Sequence, residues 1–399
     1  MGPLEGVRVI EMAHFMSGPT CGMLLADMGA DVIKVEKIPG GDDTRRFTPP
    51  EINGEPAAFL MMNRNKRGIA VDLKQAGGQD LLRRLLAHAD VVTENYRKGT
   101  MEKLGLGYDA LRLANPALIY CAISGYGRSG PDADKGGFDL VAQGMSGLMR
   151  ITGEAGGKPT KVGSPVTDIN AGMLAALGVV SAYVHRLKTG QGQFVDTSLL
   201  EAGIMQTYWQ TAIYLGSGVA PGALGSAHPL TAPYQAFETS DGWITLGASN
   251  QSNYERVCRM LDAPELIADP RFRDNPSRMA NLPALVDILT EHFRQKTSAE
   301  WLAALDGAGV PAGPVFDIPQ MLAYPQTIAR GMVVETTHPR AGTTQSIGLP
   351  IKFSDTPGAV LRPAPLFGQH TREVCREAGF SDAEIDAMIA GGAVAETLA

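Results

Sequence analysis

Short apolar runs separated by turn residues dominate the first half of the chain. The runs that predict strands are 7–12, 32–35, 69–72, 91–94 and 118–123. Segments with helical character, at 20–28 and 78–87, lie among them. Near-continuous apolar strands that alternate with helices are typical of parallel sheets covered by helices on both faces. Residues 1 to about 200 therefore predict an open, Rossmann-like α/β domain.

The pattern changes after about residue 215. A long helix of small residues at 171–188 and an apolar helix at 199–214 precede a loop-like stretch, 216–230. The segment 234–247 then reads strand, Asp241-Gly242 turn, strand, which predicts a β-hairpin.

We therefore predict a large α/β domain at 1–224 and a smaller α+β domain at 225–325. A C-terminal segment, 326–399, is expected to return to the large domain and to carry helices near 372–377 and 381–389.

Composition narrows the function classes. The 399 residues carry a net charge of -7, with 44% hydrophobic and 19% charged residues. An acidic balance argues against a nucleic-acid partner, because phosphate backbones favour clustered Lys and Arg. The four cysteines show no CxxC spacing, which favours a reducing compartment. The longest apolar run, 171–184, is shorter than the ~20 residues that cross a bilayer. We expect a cytoplasmic enzyme with no signal peptide and no membrane association.

Two local motifs indicate little. Residues 125–130 match GxGxxG after a predicted strand, but Pro131 follows where a dinucleotide fingerprint would open a helix. A mobile loop is the better interpretation, and an NAD-dependent dehydrogenase is disfavoured. The seven histidines are dispersed, and the sequence contains no HExxH, P-loop or GxSxG motif, so we expect no metal site.

Asp168 is the main candidate for chemistry. It directly precedes the small-residue helix at 171–188. Its spacing fits a structural N-cap, for which Asp is a preferred residue. The same position near a helix N-terminus also favours an ionised, reactive carboxylate and could stabilise a neighbouring oxyanion. The sequence leaves both roles open.

Basic residues recur at the ends of predicted strands and in the loops that follow them. In an open α/β sheet such loops form the ligand crevice, so these residues weakly favour a phosphate-bearing ligand; an ordinary solvated surface is the alternative. They are Lys66, Arg67, Lys74, Arg97, Lys98 and Lys103.

Several segments, in order along nearly the whole chain, resemble the family III (CaiB/BaiF) CoA-transferases, which include the formyl-CoA:oxalate and carnitine enzymes. They are LEGVRVIE at 4–11, LADMGADVIKVE at 25–36, NRNKRGIAVDLK at 63–74, ENYRKG at 94–99, FDLVAQ at 138–143, KTGQGQFVD at 188–196 and PAPLFGQHTREV at 363–374.

The resemblance implies a CoA-transferase that uses CoA thioesters and needs no metal. Asp168 matches the family's nucleophile, which attacks an acyl-CoA, becomes an aspartyl-CoA thioester and passes CoA to a free carboxylic acid. Lys74 and Lys103 would contact CoA phosphates, and Asn95 with Tyr96 the pantetheine or nucleotide. The positions matching the family's CoA contacts are His14, Ser17, Val71, Lys74, Asn95, Tyr96 and Lys103. The family's two-domain subunit assembles as an interlocked homodimer.

The sequence also departs from the formyl-CoA transferase pattern. Met16 and Phe138 replace a glutamine and a tyrosine, and residues 225–230 replace a glycine-rich flap, so oxalate specificity is doubtful. An α-methylacyl-CoA racemase of the same fold would need a histidine at the position of Phe138. A phenylalanine side chain cannot carry a proton, so the racemase is disfavoured. A non-catalytic CoA-binding protein is a further alternative.

We expect a succinyl-type donor, and leave carnitine, aromatic acids and oxalate open as acceptors. The candidates for binding a second carboxylate are Arg45, Arg46, Lys135 and His228.

Overall fold

The chain forms two compact units in a computed structural model that describes residues 2–397. The larger unit comprises residues up to 149, 161–219 and those from 325 onward, and the smaller unit comprises 150–160 and 220–324. Residues 150–160, which the sequence analysis placed in the large domain, thus belong to the smaller unit. There the N–H of Gly225 donates to the carbonyl of Gly153 at 2.8 Å.

The described residues contain both strands and helices throughout. The strands are β1 (Arg8–Met12), β2 (Asp31–Lys37), β3 (Glu51–Ile52), β4 (Glu55–Pro56), β5 (Arg67–Val71), β6 (Val91–Glu94), β7 (Ile119–Ser124), β8 (Phe194–Ser198), β9 (Tyr234–Glu238), β10 (Trp243–Gly247), β11 (Ala312–Pro314), β12 (Val333–His338), β13 (Gly342–Ile347) and β14 (Val394–Ala395). The α-helices are α1 (Ser17–Asp27), α2 (Ala57–Met62), α3 (Ala76–Ala87), α4 (Thr100–Lys103), α5 (Tyr108–Ala114), α6 (Asp139–Met145), α7 (Leu148–Ile151), α8 (Val166–Thr189), α9 (Leu199–Gln206), α10 (Tyr208–Ser217), α11 (Gln251–Met260), α12 (Glu265–Ala268), α13 (Asn275–Ala280), α14 (Leu282–Phe293), α15 (Ser298–Gly307), α16 (Ile318–Ala323), α17 (Pro325–Ala329), α18 (Thr371–Glu377) and α19 (Asp382–Ala390).

A seven-stranded sheet forms the centre of the larger unit, in the order β14-β5-β2-β1-β6-β7-β8. All neighbouring strands are parallel except β14, which pairs antiparallel with β5. This parallel-dominated sheet confirms the predicted α/β class. The strand order reverses direction at β1, whose two neighbours are β2 and β6. Such a switch point opens a crevice at the carboxyl ends of the strands, where α/β proteins bind ligands.

Apolar side chains fill both faces of this sheet. Ile10 and Val92 belong to one buried cluster, whereas their neighbours Val9 and Val91 belong to the cluster on the opposite face. Alternate residues of a strand point to opposite faces, so strands buried on both sides must be apolar at every position. This requirement explains the continuous apolar runs in the sequence.

The smaller unit is built on a three-stranded antiparallel sheet in the order β11-β10-β9. Its β9–β10 pair is the hairpin predicted from Asp241-Gly242, with Trp243 paired to Glu238 beside the turn. The indole N–H of Trp301 donates to the carbonyl of Phe293 at 2.7 Å and anchors the helical core over the sheet.

Helix α8 begins earlier than the predicted 171–188. By length and composition alone it is the one helix among the described residues that could cross a membrane. That is weak support for a membrane span, because core helices of soluble proteins meet the same criterion. Here α8 packs against α1, β7 and β8. Its Gly172 lies so close to α1 that an added Cβ would be 2.6 Å from the carbonyl oxygen of Ser17.

Candidate active site

A cavity of about 630 Å³ lies at the switch point of the central sheet. The segments that follow β1, β6 and β7 form its walls, and Asp168 at the start of α8 also lines it. The first wall contains His14 and Ser17, the second Asn95 and Tyr96. The structure thus brings five of the sequence-predicted residues into one cavity.

The amide of Asn95 joins the first two walls across the switch point. Its Oδ1 accepts the backbone N–H of His14 at 2.9 Å, and its Nδ2 donates to the carbonyl of His14 at 2.7 Å. The imidazole of His14 also stacks on Tyr96, with ring centroids 5.6 Å apart. Both hydrogen-bonding groups of the amide are therefore used to hold the backbone of the β1 loop.

The next residue of the β1 loop, Phe15, has an uncommon backbone conformation for a residue other than glycine, with a φ of 69°. Its N–H donates to Oδ1 of Asp42 at 3.1 Å, which helps to hold this conformation. Positive-φ residues outside glycine concentrate at functional sites because the surrounding contacts must maintain them.

A fully buried ionic cluster lies behind that loop. The Lys34 ammonium contacts Glu11 at 3.0 Å and Asp42 at 2.8 Å, and the Lys66 ammonium contacts Glu11 at 2.8 Å. Burial alone would lower the pKa of Lys34, but the charges of Asp42 and Glu11 raise it above its usual value. Burial lowers the pKa of Lys66 to about 8, despite the opposing charge of Glu11. Lys34 also donates to the carbonyl of Ala13 at 3.0 Å, so the cluster supports the start of the β1 loop.

Asp168 occupies the third position of α8, not the N-cap. The N-cap is Pro165, which offers no side-chain cap. Asp139, at the start of α6, supplies the missing acceptor. Its Oδ1 accepts the Thr167 N–H at 3.0 Å and the Thr167 hydroxyl at 2.7 Å. A side-chain oxygen bound to an N–H of the first helical turn is the usual capping interaction, provided here from another helix. The prediction that Asp168 is the N-cap of this helix is therefore wrong.

The environment of Asp168 changes its acidity. Burial, followed by the like charge of Asp139, raises the pKa of Asp168 to about 7. A carboxylate with such a pKa is a stronger base and nucleophile than an exposed one, and it is substantially ionised near neutral pH. The start of α8 thus presents a desolvated carboxyl group to the cavity.

The GxGxxG segment forms a loop over this cavity, which we call the glycine loop (residues 125–137). An added Cβ on Gly125 would lie 2.6 Å from the Cα of Gly137, so the two ends of the loop touch. No helix starts at Gly130; α6 begins at Asp139. The loop interpretation is confirmed, and the segment lacks the helix that a dinucleotide-binding turn requires.

Comparison with known proteins agrees with this geometry. A family model described as CoA-transferase family III matches residues 4–371. The chain belongs to CoA-transferase family III. Succinyl-CoA:glutarate CoA-transferase of Mus musculus is 38% identical over 395 residues, covering 99% of this chain and 91% of the relative. Succinate–glutarate CoA-transferase of Agrobacterium fabrum is 40% identical, covering 94% and 95%. A CaiB/BaiF family protein from Brucella suis superposes with a TM-score of 0.86 at 39% identity, covering 94% and 99%.

This family III CoA-transferase acts on CoA thioesters, so the positions assigned to CoA can be located in the structure. Val71, Lys74 and Lys103 do not line the cavity with Asp168. Val71 ends β5 and is buried, whereas Lys74 and Lys103 are exposed. Their CoA contacts remain predictions.

The other basic candidates have different surroundings. Arg45 is engaged by Glu36 at 2.6 and 2.8 Å, and Arg46 pairs with Asp43 at 2.5 Å. Lys135 lines the cavity and pairs with Asp132 at 2.7 Å, whereas His228 lies in the smaller unit.

Two of the basic residues noted at strand ends belong to other parts of the transferase. Lys66 lies in the buried cluster. Arg67 lies at the amino end of β5, where it pairs with Asp31 at 2.7 Å and with Glu377 at 2.6 Å. Among the described residues, no group of three His, Cys, Asp or Glu side chains is placed to hold a metal ion.

Proposed function

We propose that this CoA-transferase moves CoA from succinyl-CoA to a dicarboxylic acid of the glutarate type, through a thioester on Asp168. The observation that carries the proposal is a half-buried carboxyl group of raised pKa, held in the first turn of α8 where it lines the switch-point cavity. The names of the mouse and Agrobacterium relatives support the substrate class.

The chemistry is a double exchange in which each bond that breaks is matched by one that forms. The Asp168 carboxylate attacks the donor carbonyl, forms a mixed anhydride and expels CoA as a thiolate. The thiolate attacks the aspartyl carbon of that anhydride, releases succinate and leaves aspartyl-CoA. The acceptor carboxylate then attacks aspartyl-CoA, which forms a second mixed anhydride and releases the CoA thiolate. The thiolate attacks the acceptor's acyl carbon in that anhydride, which forms the new acyl-CoA and regenerates the Asp168 carboxylate. Covalent catalysis preserves the energy of the thioester, provided that water is excluded from the intermediate.

Basic side chains around the cavity suit anionic substrates. Arg97, Lys98 and Lys135 line it, together with the carboxyl group of Asp168. Opposite charge draws a thioester that carries phosphates and a dicarboxylate into the same crevice. Arg97, Lys98 and Lys135 are preferred to Arg45 and Arg46 because they line the cavity, whereas Arg45 and Arg46 do not.

An apolar helical face of the larger unit supports a homodimer, which we propose as the working form. Helices α6, α8 and α9 contact one another, and α10 contacts α9. They expose large apolar side chains, and an apolar surface of this kind commonly marks a protein interface. The exposed residues are Leu140, Val141, Met145, Met173, Leu177, Val184, Leu187, Ile204, Met205, Tyr208, Tyr214 and Leu215. We call this surface the helical face.

Trapping the intermediate tests the function. The protein would be incubated with succinyl-CoA, treated with hydroxylamine or borohydride, and digested for mass spectrometry. We expect a modification on the peptide containing Asp168, and production of glutaryl-CoA when glutarate is added. Asp168→Asn should abolish both, since an amide cannot form the anhydride.

Asp109→Asn is the matched control. Asp109 also lies in the first turn of a helix of the larger unit, but it is exposed and outside the cavity. This variant should retain adduct and activity. Absence of an adduct in the wild-type protein, with proton exchange at the α-carbon of a branched acyl-CoA, would instead favour the racemase despite Phe138.

A further inference from the structure

Glu94 connects two walls of the cavity from beneath. It is the last residue of β6, is 3% exposed and does not line the cavity itself. One carboxylate oxygen, Oε2, accepts the backbone N–H of Tyr96 at 2.8 Å, within the wall that follows β6. The other, Oε1, pairs with the guanidinium of Arg128 in the glycine loop. A single carboxylate thus contacts two segments that are far apart in sequence.

Arg128 gives the glycine loop its buried attachment to the sheet. In addition to its pair with Glu94, its backbone N–H donates to Oδ2 of Asp196 in β8 at 2.9 Å. The other ion pairs of the loop are weaker supports. Lys135 pairs with Asp132 inside the loop itself. Lys98 and Asp134 are 4.0 Å apart and exposed, so their pair contributes little.

The glycine loop needs such an attachment because its own structure consists only of the contact between its two ends and of short turns, in which Ala133 donates to the carbonyl of Gly130 and Lys135 to that of Asp132. Gly125 and Gly137 touch, but the residues between them form neither helix nor strand. Ala133, Lys135 and Gly136 of this loop line the cavity. Their positions relative to Tyr96 and Lys98 on the opposite wall therefore depend on what holds the loop down.

We propose that Glu94 and Arg128 are a positioning pair, which holds the wall after β6 and the glycine loop in one fixed arrangement and so preorganises the acyl-CoA site. Neither residue takes part in the reaction. A preformed site avoids the cost of ordering two loops when the ligand binds. The inference rests on the proposed function only for the identity of the ligand.

Amide hydrogen exchange and calorimetric titration with free CoA test the pair without requiring turnover. The variants are Glu94→Gln, Arg128→Gln and the double variant. We expect faster exchange in residues 95–100 and 125–137 together, and CoA binding about tenfold weaker in each single variant. The double variant should be no worse than the singles, because both remove one shared interaction. In turnover assays, KM for acyl-CoA should rise about tenfold while kcat stays within about twofold.

Asp90→Asn is the control at the opposite end of the same strand. Asp90 directly precedes β6, pairs with Arg186 at 2.6 Å and accepts the N–H of Arg8 at 2.7 Å. This variant removes a comparable ion pair at the amino edge of the sheet, and should leave exchange in 95–100 and 125–137 unchanged.

Three results would overturn the proposal: unchanged exchange and CoA affinity in Arg128→Gln, effects of the single variants that add fully in the double variant, or the same exchange change in Asp90→Asn. If Glu94→Gln fails to fold, Arg128→Gln alone decides, since Arg128 lies in a loop. If the wild-type protein binds CoA but transfers none, the proposed function fails, while the exchange and binding results still decide whether Glu94 and Arg128 act as a pair.

Discussion

Two carboxyl groups near the start of α8, Asp168 of α8 itself and Asp139 of α6, have different tasks. Asp139 holds Thr167 by two hydrogen bonds, and the neighbouring Asp168 is left desolvated with a raised pKa of about 7. We expect the rate of adduct formation on Asp168 to rise with pH to a plateau, with a midpoint near 7, because only the ionised carboxylate attacks. Rapid quenching with succinyl-CoA between pH 5 and 9 would measure this profile.

Asp139→Asn separates charge from hydrogen bonding. The amide oxygen can still accept from Thr167, but the negative charge that raises the pKa of Asp168 is lost. The midpoint should therefore move to lower pH. A shift of about half a unit would make the reaction about threefold faster at pH 5.5, and a less basic nucleophile should react somewhat more slowly on the plateau.

Two further variants control this result. Burial also raises the pKa of Glu94 to about 7, although the charge of Arg128 opposes it, so Glu94 is a second group that titrates in this range. Glu94→Gln should leave the midpoint in place. Asp139→Ala also removes the acceptor of Thr167 and should lower the plateau rate itself. A midpoint that moves in Glu94→Gln but not in Asp139→Asn would show that the pH profile reports the ionisation of Glu94 and not that of Asp168.

At the scale of elements, α1 and α8 are in close contact, and each contributes a residue to the cavity, Ser17 and Asp168. An added Cβ at Gly172 would lie 2.6 Å from the Ser17 carbonyl oxygen and 2.7 Å from Cβ of Thr20. Backbone cannot move aside easily, so Gly172→Ala should force the helices apart. We expect a loss of about 1–3 kcal/mol in the free energy of unfolding, measured by denaturant titration, together with weaker CoA binding because Ser17 lines the cavity.

The control is a helical glycine with free space. An added Cβ at Gly307, in α15 of the smaller unit, would meet nothing within 4 Å. Gly307→Ala should leave stability unchanged or raise it slightly, as the helix propensity of alanine suggests. Equal losses in both variants would show that the close contact between α1 and α8 is not the cause, because an added methyl at Gly307 meets nothing.

Elements whose signal is local were predictable from the sequence. The apolar runs located β1, β2, β5, β6 and β7, and the Asp241-Gly242 turn located the β9–β10 hairpin. Contacts between distant segments were not. Lys66 was predicted to lie at a ligand crevice or on the solvated surface, and its burial was missed because its partner Glu11 comes from another strand. Asp168 read as a possible N-cap because its sequence neighbours do not reveal that Asp139 caps α8 from 28 residues away. Glu94 and Arg128 left no periodic signal for the same reason.

At the scale of the whole molecule, the proposed homodimer rests on the helical face. On α8 and α10, Leu187 is 71% and Leu215 77% exposed. Such a surface would be covered in a dimer. We expect the wild-type protein to sediment as a dimer, and the double variant Leu187→Glu/Leu215→Glu to sediment mostly as a monomer. Buried charge without a partner strongly opposes association.

Leu113→Glu is the matched control, because Leu113 is 84% exposed on α5 and is not part of the helical face. It should remain dimeric. A monomeric wild-type protein, or a double variant that stays dimeric, would contradict the assignment.

The helical face also reaches the active site. Phe138 lines the cavity, is 68% exposed and directly precedes α6, whose Leu140 and Val141 belong to the face. A partner seated on the helical face would therefore shield this side of the cavity from water, which an aspartyl-CoA thioester requires. The monomeric variant should accordingly hydrolyse succinyl-CoA more and transfer less CoA to glutarate than the dimer. An unchanged ratio of hydrolysis to transfer would mean that each subunit excludes water by itself.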